Sequence, residues 1–124
     1  MVVIAVLVVL AGALGAVARF AVDSAVARRW STTISWATVG INVSGSFLLG
    51  MLAGAVALHS APDAWQTVVG TGFCGGYTTF GTAMVQAARL ARSGRTTAAA
   101  VGLAVTLGAS VVACAGGFTV AASV

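Results

Sequence analysis

Three sets of polar and small residues stand inside otherwise apolar stretches of this sequence, each recurring at a spacing of four. Asn42, Ser46, Gly50 and Gly54 form one set, Thr78, Thr82 and Gln86 a second, and Gly102, Thr106, Ser110 and Cys114 a third. A spacing of four stacks side chains on one face of a helix. Such a face has two uses. Small residues let two helix backbones approach closely, which is packing alone. Hydroxyl and amide groups can instead line a polar pathway, because they donate hydrogen bonds to a passing ion. The glycines are read as packing; Asn42, Thr106 and Ser110 suit either use. An asparagine amide turned to lipid would be unsatisfied at a cost of about 1 kcal/mol or more, so Asn42 faces protein or water.

The stretch Gly72-Phe73-Cys74-Gly75-Gly76-Tyr77-Thr78-Thr79-Phe80-Gly81-Thr82 packs four glycines and three threonines together, a poor combination for a helix. A break there frees backbone carbonyls, which is tolerated at membrane depth only inside protein or beside water, and which often binds an ion. Groups for covalent or acid–base chemistry are scarce. There is no Glu, the acids are Asp23 and Asp63, and His59 is the only histidine. His59 reads as a solvated turn residue with no nucleophile beside it. Cys74 and Cys114 lack the spacing of a metal site and read as small packing residues. An enzyme is not expected.

The elements that must position these groups are spans. Of 124 residues, 60% are hydrophobic and 6% charged, with mean hydropathy +1.08. A soluble domain carries about 25% charged residues, so that class is excluded. Four apolar segments are predicted, at about 2–22, 34–58, 64–88 and 96–122, each near the ~20 residues that cross a bilayer. The fold class is therefore an all-α membrane protein of four transmembrane helices, one domain over 1–124, its third helix broken near the middle. The start, Val2-Val3-Ile4-Ala5-Val6, has no basic region before it and reads as the first span rather than a cleaved signal.

Arginine placement predicts orientation. Arg28 and Arg29 follow the first span, and Arg89, Arg92 and Arg95 follow the third, while the 59–63 turn and both termini carry no Arg or Lys. The positive-inside rule puts both arginine-bearing connectors in the cytoplasm and both termini outside. The same few arginines form no dense basic patch, so nucleic acid is not an expected partner. The lipid bilayer is.

Residues 72–80 resemble the signature of the small bacterial fluoride channels, the Fluc or CrcB family. Gly12-Ala13-Leu14-Gly15-Ala16-Val17-Ala18-Arg19-Phe20 resembles that family's first-helix pattern, and Thr38-Val39-Gly40-Ile41-Asn42-Val43-Ser44-Gly45 its second. The resemblance implies four-helix chains paired as antiparallel dimers in a bacterial inner (cytoplasmic) membrane. It implies two narrow pores along the dimer interface, carrying fluoride out of the cell passively. It also implies a structural sodium ion at the dimer centre, held by backbone carbonyls. Carried over by position, the carbonyls belong to Gly75 and Thr78. The pore is lined by Asn42, Phe80, Thr82, Thr106 and Ser110, with Arg19 in an anion vestibule near the cytoplasmic mouth. The chemistry suits a strongly hydrated anion: amide and hydroxyl donors replace its water, and a phenyl ring offers a positive edge.

The sequence departs from the family pattern after Phe80. Where that pattern continues Ser-Thr-Phe with a later glutamate, this chain has Gly81-Thr82-Ala83 and then Gln86; a helix-four tyrosine aligns with Gly102. Because each family pore takes its two phenylalanines from different chains, the missing ring implies one working and one degenerate pore in a heterodimer. One-sided arginine bias points the same way, since this chain needs a partner inserted in the opposite sense. A homodimer remains the alternative. Two other functions compete: a non-conducting structural or regulatory subunit, and a small four-helix multidrug-type transporter. The latter needs an intramembrane carboxylate, which this chain lacks.

Overall fold

The computed structural model describes residues 1–124, all in helices and short connectors. Helix α1 covers Val2–Arg29 and α2 covers Trp36–His59. A continuous helical run follows: α3 (Asp63–Trp65), a π-helical stretch (Gln66–Cys74) and α4 (Gly75–Tyr77). The backbone is then non-helical until α5 (Gly81–Arg92), and α6 covers Thr96–Ser123. Three helices, α1, α2 and α6, are long and apolar enough to cross a membrane. The run from Asp63 to Arg92 is interrupted, and the 12 residues of α5 alone rise only about 18 Å. The protein is an all-helical, multi-pass membrane protein.

Local chemistry explains the ends. Ser35 caps α2, its hydroxyl accepting from the Thr38 amide at 3.5 Å. Ser60, left-handed at φ 53°, ends α2, and Pro62 initiates the next run. Gly94 at φ +83° makes the turn between α5 and α6. Helix α1 runs on to Arg29, beyond the apolar limit at about residue 22. Asp23, Arg28 and Arg29 thus lie on helix, not in an irregular connector. The sequence offers no breaker before Ser31-Thr32-Thr33, and Arg28 Nε donates to the Ser24 carbonyl at 3.2 Å one turn back.

Two tight seams hold the chain together. Helices α2 and α6 share the most extensive contact, and α1 lies against the π stretch and α4. Both seams are backbone against backbone. A Cβ on Gly50 would strike the Cys114 carbonyl, and one on Gly117 the Phe47 carbonyl. On the other seam, a Cβ on Gly15 would strike the Phe73 carbonyl, and one on Gly76 the Gly12 carbonyl. Small residues drive such approach in a membrane, where apolar burial gives no advantage over lipid. Large side chains accordingly cover the outside: Leu14, Phe20 and Leu107 are each at least 65% exposed.

Candidate functional site

The non-helical residues Thr78, Thr79 and Phe80 are the centre of the site. Thr78 is extended (φ −76°, ψ 159°). Its amide still donates to the Cys74 carbonyl at 2.8 Å, and its hydroxyl to the same oxygen at 2.7 Å, closing α4. The Thr79 amide leaves the helix pattern altogether and donates to Asn42 Oδ1 at 2.8 Å, while Asn42 Nδ2 donates to the Thr79 carbonyl at 3.0 Å. The asparagine side chain thus pairs with a backbone amide and carbonyl as a neighbouring strand would. It satisfies two backbone groups that the interruption exposes. One N–H of the Asn42 amide is left over from this pair.

Restart of the helix is also built from side chains. Thr79 Oγ1 accepts from the Thr82 amide at 3.2 Å and donates to Thr82 Oγ1 at 3.0 Å, capping the first turn of α5. Thr79 was not among the residues singled out from the sequence. The signal was present as Thr79-Phe80-Gly81-Thr82, a threonine three residues ahead of the amide it caps. Below the break, Tyr77 is fixed by a 2.9 Å hydrogen bond to Ser44 Oγ and by stacking on Phe73 at 5.8 Å between centroids.

These diversions matter for the carbonyls. The amide that a continuous helix would place on the Gly75 oxygen is that of Thr79, and it goes to Asn42; the one due to the Thr78 oxygen is that of Thr82, and it goes to the Thr79 hydroxyl. The Thr78 carbonyl accepts from Arg19 Nη1 at 3.5 Å. Gly75 and Thr78 therefore present neutral oxygen donors, the ligand class that suits an alkali cation. No group of three or more His, Cys, Asp or Glu side chains converges anywhere in the chain. Arg19 stands as a competing positive charge at the second of these carbonyls. The guanidinium of Arg19 thus points to the break itself.

Of the other expected pathway residues, Phe80 and Thr82 border this cluster, whereas Thr106 and Ser110 lie apart from it on α6. Phe80 is 78% exposed on the outer surface of the chain. Thr82 is exposed beside it. On α6, Thr106 donates back to the Gly102 carbonyl at 2.8 Å, while the Ser110 hydroxyl is buried with no partner. An unpartnered buried hydroxyl is costly, and it is the one such side chain here. Thr106 opens onto a cavity of about 280 Å³ between the α1–α2 connector, α5 and α6. Ala83, Gln86 and Gly102, the three positions that depart from the family pattern, all line it, with Thr38 and Arg89. The three positions thus border one continuous space.

His59 differs from a free turn residue. It is the last residue of α2, and its Nε2 donates to the Ala121 carbonyl at 2.7 Å in the last turn of α6. Both cysteines are free thiols, Cys74 buried and Cys114 exposed.

A family model described as "CrcB-like protein, Camphor Resistance (CrcB)" matches residues 6–118, so it takes in the break, both seams and the cavity. The chain belongs to the CrcB family. Among curated relatives it is 46% identical over 85 residues to "Fluoride-specific ion channel FluC 1" of Leifsonia xyli subsp. xyli, covering 68% of this chain and 62% of that one. This match thus spans under two thirds of the relative's length. Over more of its length it is 39% identical to "Fluoride-specific ion channel FluC 2" of Bradyrhizobium diazoefficiens, covering 92% of this chain and 85% of the relative. It is 36% identical to "Fluoride-specific ion channel FluC 3" of Bifidobacterium longum, covering 93% and 95%. CrcB membership accords with the three sequence patterns, all of which lie within the matched residues.

Proposed function

We propose that this CrcB chain is a subunit of a fluoride-selective ion channel that releases cytoplasmic fluoride down its electrochemical gradient across a bacterial inner membrane. The observation that carries the reading is the interrupted third span, clamped by Asn42, which takes the Thr79 amide and so releases the Gly75 carbonyl from helical bonding. Relatives named as fluoride-specific channels support it. The third span acts as one broken crossing, and two chains pair antiparallel. Asn42 (through its remaining N–H), Phe80, Thr82, Thr106 and the unpartnered Ser110 line the path. Arg19 raises the potential for anions beside the break. Phe80, bare on a single chain, supports a second chain seated against it.

The Gly75 and Thr78 carbonyls would hold a structural sodium ion, which supplies fixed positive charge and ties two chains together when bound. The cavity at Ala83, Gln86 and Gly102 favours a heterodimer with a homologous chain of reversed arginine bias, in which one pore is degenerate. The test is fluoride efflux from liposomes holding this chain alone or together with such a homologue. Efflux only from the pair is expected. Robust efflux from this chain alone would overturn the obligate heterodimer, and no efflux from either preparation would leave the non-conducting subunit as the correct reading.

A further inference from the structure

A second cavity, of about 210 Å³, lies at the other side of the α1–α2 connector and has no part in the ion path. Asp23, Val26, Ala27 and Trp30 of the α1 end line it, with Ser35 and Trp36 at the α2 start. Its depth in the membrane follows from helix length. About 20 residues of α1 suffice to cross the hydrocarbon core, so a helix that starts at Val2 and runs 28 residues carries Asp23 to Arg29 into the headgroup layer. Three features there are unaccounted for. Asp23 is one of only two acids in the chain, and neither Arg28 nor any other side chain pairs with it; Arg28 donates its Nε to the Ser24 carbonyl instead. Trp30 and Trp36 leave 62% and 47% of their surface open. The C-terminal end of α1, with its partial negative charge, points at the same place.

An unpaired carboxylate that lines one cavity with two indole side chains is chemistry for an ammonium group. The carboxylate supplies charge, and the ring faces supply cation–π attraction that strengthens as water is excluded. Arg28 and Arg29 stand in the last turn of α1, outside the cavity lining, and their guanidinium groups are the complementary chemistry for a phosphate. We propose that this cavity is a binding site for a zwitterionic phospholipid of the cytoplasmic-facing leaflet, its ammonium on Asp23, Trp30 and Trp36 and its phosphate on Arg29. Interfacial anchoring by tryptophan alone would show no preference among headgroups, whereas this site selects the ammonium.

The experiment is native mass spectrometry of the full chain, or of its co-purified complex, extracted from vesicles of equal phosphatidylethanolamine and phosphatidylglycerol. Wild type is expected to retain the ethanolamine lipid about tenfold over the glycerol lipid, the scale of one desolvated cation–π and charge contact. Asp23→Asn brings that ratio to about one, Asp23→Glu restores it, and Trp36→Leu lowers it with Asp23 intact. Arg29→Gln weakens retention of both lipids. Equal retention by wild type, or an Asp23→Asn ratio unchanged from wild type, overturns the proposal. Saturable binding of free ethanolamine with no preference between the lipids overturns the assignment to a lipid. None of these readouts depends on fluoride efflux, so the outcome is separate from the channel reading.

Discussion

The two seams of this protein are built from the same material and end differently. Between α2 and α6, Gly50 and Gly117 each sit against a carbonyl of the facing helix, and both helices continue unbroken for 24 and 28 residues. Between α1 and the third span, Gly15 and Gly76 make the same approach, but the third span widens into a π stretch and then gives up helix at Thr78. Close packing therefore does not cause the break. What differs is the supply of side-chain partners: Arg19 of α1 and Asn42 of α2 both engage the backbone of the third span at its break and Thr79 caps its restart, while only His59 bonds across the first seam. One seam is a scaffold. The other is a scaffold that stops at a polar cluster, and the cluster is where function is read.

The largest expected effect treats the seams as equals. Gly50→Leu and Gly76→Leu each drive a side chain into backbone that has no room to move, and should cost more than about 3 kcal/mol, beyond ordinary overpacking. Neither variant should give monodisperse protein in detergent. Gly108→Leu is the control, because a Cβ there meets nothing within 4 Å, and its melting profile should match wild type. If Gly76→Leu folds and Gly50→Leu does not, the second seam is looser than its geometry states.

Asn42 then separates them. Asn42→Ala removes both bonds to Thr79 and leaves an amide and a carbonyl of the break unpaired, costing about 1–2 kcal/mol in total for two intramembrane hydrogen bonds. Efflux from the reconstituted channel should fall at least tenfold, a loss on the order of 1.4 kcal/mol of barrier or more. Asn42→Asp keeps the acceptor for the Thr79 amide but cannot donate to the Thr79 carbonyl, so its melting point should lie between the two. A melting point equal to wild type for Asn42→Ala would mean the break stands without its clamp.

Phe80 should move function and leave the fold. At 78% exposure it supports no packing within its own chain, so Phe80→Leu should change single-chain stability by less than about 0.5 kcal/mol. A severalfold drop in efflux with unchanged melting places the ring in the path or at the partner chain. Unchanged efflux favours the structural-subunit reading.

How much of this was legible follows from which forces act locally. Periodic apolar segments, the one proline and the glycine-rich stretch are local signals, and they foretold an all-helical membrane chain. The stripe at Asn42 was legible as a face that avoids lipid, but not its partner, because Thr79 lies 37 residues away and a long-range pair has no spacing to read. The end of α1 was misjudged by hydropathy, since charge changes the solvent a helix meets without breaking the helix. The shared cavity of Ala83, Gln86 and Gly102 needed coordinates, because α5 and α6 come together only in the fold.

The smallest expected effect tests the scaffold seam from its polar end. The His59 ring nitrogen can only donate to the Ala121 carbonyl, which lies in the last turn of α6, where carbonyls have no intrahelical donor. The residue is exposed, so the bond competes with water and should contribute about 0.5–1 kcal/mol. His59→Ala should lower the melting point by a few degrees and leave fluoride efflux unchanged, because the contact is at the opposite end of α2 from Asn42. His59→Gln, which can still donate an N–H to that carbonyl, should recover part of the loss. If His59→Ala instead reduces efflux while melting normally, the two seams are mechanically coupled through α2, and the division between scaffold and polar cluster fails at that helix.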